Sequence, residues 1–210
     1  IHFLVDRTRR QLARQEGNAT ELFARDMTNF PIALATKEAH EQHYVLPSRF
    51  LDVVLGRRRK YSCGYYENED STLDEAEEAA LELTARNADI SDGQDILELG
   101  CGWGSLTLWI AEMYPAANIT AVSNSRTQRD FITSQAALRG FDNVNVITAD
   151  MNNFIADQRY DRIVSVEMFE HIANWRQLID NVTQWLKPEG RFFMHVFSHK
   201  DAPYRFDQTD

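Results

Sequence analysis

Two carboxylates and an imidazole fall within five residues, at Glu167, Glu170 and His171, where a buried-strand pattern ends. Such a group is suited to proton transfer, because a carboxylate and a histidine at the mouth of a cleft shift each other's pKa toward the working range. Burying them without purpose is costly, although a solvated strand–helix junction is the competing reading. Three glycines alternate at Gly100, Gly102 and Gly104, between a strand pattern at 95–99 carried by Ile96, Leu97 and Leu99 and a helical pattern from Ser105. Lacking a Cβ, Gly100 and Gly102 allow a tight turn and close approach of a ligand to the main chain, and the following helix offers unpaired N–H groups. Asn124 and Gln128 could bond ribose hydroxyls, while Ser125 and Gln128 also have the Ser-x-x-Gln spacing of a helix-capping box. Asp150 and Met151 offer adenine an acceptor for its amine and an apolar surface for its face; a helix cap at Asp150 is the alternative.

The glycine spacing narrows the ligand. A dinucleotide fingerprint requires Gly-x-Gly-x-x-Gly or Ala and an acidic residue about 20 positions on. Here the third glycine comes one place early, and the strand at 118–123 ends in Ser-Asn-Ser without a carboxylate, which disfavours NAD. No lysine stands in the turn, which removes a P-loop. What remains resembles the first motif of class I S-adenosylmethionine (SAM) methyltransferases, with Glu98 as the acid before the glycines. A structural turn without a ligand is the plain alternative.

These residues need a frame that brings them together. Periodicity predicts helices over residues 8–26, 48–55 and 71–87, the last opened by the capping pair Thr72 and Glu75. Strands follow at 95–99, 118–123, 144–148, 161–167 and 191–197, separated by helices near 105–114, 126–138 and 174–186. This alternation predicts an α/β, Rossmann-like, doubly wound parallel sheet with a helical extension in front, and ligands at the carboxyl ends of the strands. The expected division is an N-terminal helical or lid region over 1–70 and a SAM-binding domain over 71–210.

The 210 residues are 43% hydrophobic, enough for a normal core. No run approaches the roughly 18 apolar residues of a membrane span, and no signal-peptide pattern is present, so the expected location is cytoplasmic. Cys63 and Cys101 stand far apart, with neither a metal-ligand spacing nor a disulfide framework. A net charge of −10 argues against nucleic-acid binding. Residues 1–60 nevertheless carry 11 Lys/Arg against 7 Asp/Glu, including the run Arg57, Arg58, Arg59 and Lys60. That run fits either peripheral contact with anionic lipid or a solvated face.

Four ordered motifs carry a more specific resemblance: residues 61–66 (Tyr-Ser-Cys-Gly-Tyr-Tyr), the turn 99–105, Asn-Ser-x-x-Gln at 124–128, and Met-Phe-Glu-His at 168–171. From about residue 43 onward the chain resembles the cyclopropane-fatty-acyl-phospholipid synthase family of SAM-dependent enzymes. One branch of that family modifies unsaturated acyl chains; the other, coclaurine N-methyltransferase-like, methylates amine nitrogen. Residues 41–50, Glu167 in place of a glycine, and the tail at 195–204 are similar to the amine branch.

The resemblance implies that Tyr61, Ser62, Gly100, Gly102, Asn124, Gln128, Asp150 and Met151 contact SAM, with no metal. In the lipid branch, Cys63, Glu170 and His171 resemble residues that hold a bicarbonate ion; in the amine branch, Glu167, Glu170 and His171 would orient an amine and accept its proton. The expected acceptor is thus a small hydrophobic amine, with an unsaturated acyl lipid second and a non-catalytic SAM-binding module third. A homodimer is a further expectation. The family's acceptor region, with a hairpin that completes the sheet, has no counterpart before Asp210, so the expected domain is incomplete at its C-terminus.

Overall fold

The computed structural model describes residues 5–7, 9–10, 18–34, 48–199 and 203. Within the helix expected over 8–26, residues Ala19–Asp26 form α1; residues 8 and 11–17 lie outside the described residues, as do 41–47. Helix α2 (Ser48–Val54) follows, then α3 (Leu73–Asn87). The sheet domain then alternates β1 (Asp95–Leu99), α4 (Ser105–Met113), β2 (Asn118–Ser123), α5 (Arg126–Arg139), β3 (Val144–Thr148), β4 (Tyr160–Val166), α6 (Trp175–Trp185) and β5 (Leu186–His195).

All neighbouring strands pair in parallel, in the order β3-β2-β1-β4-β5. The order reverses between β1 and β4, and at that switch point the crossovers leave a crevice beyond the strand ends. Side-chain alternation covers both faces. Leu97, Leu99 and Ile163 enter one core cluster with Phe169, Leu178 and Trp185, while Ile96 and Val164 enter the other with Leu81, Trp109 and Ile110. A central parallel strand buried on both faces reads as a mostly apolar run, and β1 does so through Ile96, Leu97 and Leu99, with buried Glu98 as the exception.

The capping box at α3 forms as its spacing predicts: the Thr72 hydroxyl accepts from Glu75 N, and the Glu75 carboxylate accepts from Thr72 N at 2.8 Å. Two strands, β4 and β5, differ in their bounds from expectation. β5 starts at Leu186 rather than residue 191, because a register shift opposite Tyr160 and Arg162 absorbs Pro188 and Gly190, residues that in sequence read as a turn. β4 ends at Val166 because Glu167 leaves the extended region, with φ +53°.

The segment before the sheet domain is packed into it. Ile32 is buried in the same cluster as Leu99. Asn152 and the Ala33 main chain exchange two amide hydrogen bonds, each 3.0 Å long. Residues 30–34 are thereby held at the rim of the crevice. Among the described residues, no helix is long and apolar enough to cross a membrane.

At the opposite end of the sheet, buried Arg162 donates to the carbonyls of Ala88, Asp89 and Asp161 and pairs with the Asp89 carboxylate at 2.6 Å. Arg162→Met keeps the stem and removes every donor, leaving the three carbonyls without this partner while the Asp89 carboxylate keeps Arg191 at 2.9 Å. The expected loss is about 3 kcal/mol of unfolding free energy, measured by urea denaturation, with no change in ligand binding at the far end.

Candidate active site

The turn after β1 folds back on β2, and Gly100 N and Cys101 N both donate to the Val122 carbonyl at 3.0 Å. Gly104 caps α4 in a left-handed conformation, φ +79°, and a Cβ there would lie 2.5 Å from Ile132 on α5. Glycine is required at that position for helix packing. Gly102, φ +52°, serves a different purpose: a Cβ there would meet nothing within 4 Å. It opens onto a cleft of about 180 Å³ at the switch point.

Glu98 lines that cleft while almost wholly buried. Burial pushes its carboxyl up to about 7, against a 2.5 Å hydrogen bond from the Thr107 hydroxyl that works in the opposite direction. Between about 4.5 and about 7 the folded protein therefore retains a proton that an unfolded glutamate has already released. Stability falls as pH rises through that window, by on the order of 3 kcal/mol in total. Glu98→Gln removes this contribution, so urea denaturation of the variant at pH 5 and pH 8 should show a shallower pH dependence than wild type. An unchanged slope would mean that Glu98 is already ionised when buried.

At the start of α5, half of the capping box forms. The Ser125 hydroxyl accepts from Gln128 N at 3.3 Å, but the Gln128 side chain does not return to Ser125. Its Oε1 accepts from the Ser123 hydroxyl at 2.6 Å, and Ser123 Oγ in turn accepts from Ser125 N. The Gln128 Nε2 is left buried without a partner among the described residues, on the cleft wall beside exposed Asn124. A buried amide donor is seldom left unpaired without reason, and a ligand hydroxyl there would satisfy it.

Asp150 also resolves differently from the helix cap: its Oδ1 accepts from Asn152 N at 2.8 Å and closes a turn. Buried Met151 follows on the cleft wall. Gly100, Gly102, Asn124, Gln128, Asp150 and Met151 thus line one cleft, together with Tyr61 and Ser62.

The acid–base residues divide. Glu167 and His171 line the cleft. Glu170 instead accepts from Phe197 N at 2.5 Å through Oε1, while its Oε2 is buried without a partner among the described residues. Cys63, expected beside Glu170 and His171 to hold bicarbonate, is found against Glu167 and His195. Its N–H donates to Glu167 Oε1 at 2.9 Å, and its Sγ lies 3.9 Å from His195 Nε2. Burial and the neighbouring Glu167 carboxylate push the Cys63 thiol up, keeping it protonated near neutrality.

Two members of this group are not singled out in the sequence. Lys60 belongs to the basic run, yet it is buried, and its ammonium donates to the Cys63 carbonyl at 2.7 Å and the Ser62 hydroxyl at 2.5 Å, fixing the 61–63 turn. Burial lowers its pKa. His195 reads as the end of a strand; its carbonyl accepts from Glu167 N at 2.9 Å, which places the ring beside Cys63. The rest of the basic run is also engaged within the chain: Arg57 with Asp74, Arg58 with Glu78 and Glu112, Arg59 with Asp52.

The strand order, the glycine turn and the cleft at the switch point define a class I SAM-methyltransferase fold. The chain belongs to the mycolic acid cyclopropane synthetase family, whose profile matches residues 34–208. It is 39% identical over 179 residues to the (S)-coclaurine N-methyltransferase of Thalictrum flavum subsp. glaucum, covering 85% of this chain and 50% of that protein. It is 30% identical over 169 residues to the cyclopropane-fatty-acyl-phospholipid synthase of Escherichia coli (strain K12), covering 80% of this chain and 42% of that protein. Among solved structures, coclaurine N-methyltransferase bound to N-methylheliamine and SAH superposes with a TM-score of 0.85 at 35% identity, covering 96% of this chain and 61% of that one. The chain spans about half the length of the curated relatives it matches.

Proposed function

We propose that the cleft holds SAM and that the protein methylates the nitrogen of a small hydrophobic amine. The carrying observation is Glu167. A non-glycine residue in the left-handed region costs on the order of 1–3 kcal/mol and persists where the surrounding structure holds it. Here the strain delivers a carboxylate to the cleft wall, steadied by the Cys63 N–H. The similarity to amine methyltransferases supports the same reading.

Bound SAM supplies an electrophilic sulfonium methyl, open to in-line displacement. For the cofactor, Gln128 Nε2 supplies an unspent donor, Met151 an apolar wall and Gly102 room against the main chain. Glu98 faces the same space, and a cationic group of the ligand would favour its ionised form. For the acceptor, the Glu167 carboxylate attracts a protonated amine and removes its proton, leaving the nitrogen lone pair free for the methyl. His171 stands on the same wall as a second proton acceptor. Holding nitrogen and methyl in line can supply about 7–11 kcal/mol of the barrier reduction. Glu170 holds the segment that follows β5 through Phe197 and acts on the site indirectly.

Incubating the protein with SAM and a panel of tetrahydroisoquinolines, then analysing the products by mass spectrometry, tests this reading. One added methyl on nitrogen is expected. Calorimetric SAM binding with no methylated amine anywhere in the panel would overturn it in favour of a binding module.

A further inference from the structure

We propose that Cys63, Glu167 and His195 form a binding site for a thiophilic divalent metal, of which Zn²⁺ is the representative ion. The Cys63 Sγ, a Glu167 carboxylate oxygen and a His195 ring nitrogen all lie within 4.8 Å of one another. Zinc binds sulfur at about 2.3 Å and imidazole nitrogen at about 2.0 Å, so the two donors of a tetrahedral site stand roughly 3.5 Å apart. The Cys63 and His195 donors stand 3.9 Å apart, so a small side-chain rotation brings them to that spacing. Sulfur, nitrogen and carboxylate together suit zinc, whereas magnesium and calcium take oxygen ligands.

The three donors are held in place without an ion. Val166 and His195 are register partners on β4 and β5, and the Glu167 N–H donates to the His195 carbonyl, so residues 167 and 195 sit on one rigid ladder. Cys63 is fixed from both sides of its peptide, by its N–H to Glu167 and by Lys60 to its carbonyl. Charge also balances: a thiolate and a carboxylate neutralise the ion, and histidine adds a neutral third ligand. The Lys60 ammonium opposes a cation, but burial lowers its pKa and it points to the Cys63 carbonyl, not to Sγ. Three protein ligands leave a fourth position for water. Glu167 belongs both to this set and to the cleft wall, so an ion here withdraws its carboxylate from any acceptor.

The chain contains two cysteines, and Cys101 is buried, so a thiol reagent applied to the folded protein reports on Cys63. Zn²⁺ alone, with no SAM or acceptor, should slow labelling of wild-type Cys63 at least several-fold, because the metal takes the thiolate that reacts. Co²⁺ should give a thiolate-to-metal charge-transfer band saturating at one ion per chain, absent in Cys63→Ser, and His195→Ala should weaken zinc binding by about 10–100-fold or more. Zinc uptake that leaves the Cys63 labelling rate unchanged would place the metal on other histidines or carboxylates and overturn the proposal. Because wild-type labelling needs neither a variant nor methyl transfer, its outcome is independent of the proposed reaction.

Discussion

Glu167→Gln should lower methyl transfer to a tetrahydroisoquinoline by about 10²–10⁴-fold, the usual contribution of a positioned acid–base group, while SAM affinity stays near wild type. The substitution is nearly isosteric. An amide oxygen can still accept from Cys63 N, so the left-handed backbone and the turn at 61–63 keep their support. What is lost is the ability to take a proton and the negative charge that draws a cationic amine. Initial rates with labelled SAM, alongside calorimetric SAM titration, separate the two effects. A wild-type rate would show that Glu167 is only a structural member of the β4 end; equal loss of rate and SAM affinity would show that it serves the cofactor.

Gly102→Val should reduce SAM affinity by on the order of 10²-fold or more, a loss of roughly 2.7 kcal/mol of binding free energy. Two causes act together. Valine is a genuine outlier at positive φ, and the observed value is +52°. Its side chain would also project into space that no protein atom occupies within 4 Å, the space assigned here to the cofactor. Gly102→Ala separates these causes, since it carries the backbone strain with far less bulk and should bind between wild type and valine. Thermal unfolding provides the control, because nothing in the protein collides with the new Cβ. Retained affinity in a folded valine variant would mean that the turn is structural and the cofactor lies elsewhere.

The elements that sequence predicts well are those with one strong local cause. β1 reads as a strand because Ile96, Leu97 and Leu99 supply apolar side chains to both faces, and α3 begins where Thr72 and Glu75 satisfy each other's amides. The glycine turn is legible for the same reason, although the separate demands on Gly102 and Gly104 emerge only when Ile132 is seen to pack against the latter. The start of β5 is hidden, because Pro188 and Gly190 carry turn chemistry that a register shift absorbs within the strand. Among the site residues, the cofactor-side set gathers as the motif spacing implies. The acid–base set does not, because the direction of a side chain after a strand end depends on backbone angles that residue type alone does not report. At φ +53°, Glu167 turns toward Cys63 and His195, while Glu170, three residues on, turns toward Phe197. Lys60 is the least legible, since a basic run ordinarily means a solvated face, and only the fold shows that its last member is buried beneath the turn it holds.

Whether Glu167 directs the methyl to nitrogen is decided by competition in one vessel: the protein, labelled SAM, a tetrahydroisoquinoline and vesicles of an unsaturated phospholipid, followed by extraction and counting of both fractions. Label is expected in the amine fraction, falling by about 10²–10⁴-fold with Glu167→Gln. Label in the lipid fraction, with the amine unlabelled, would show that the methyl goes to an alkene and not to nitrogen.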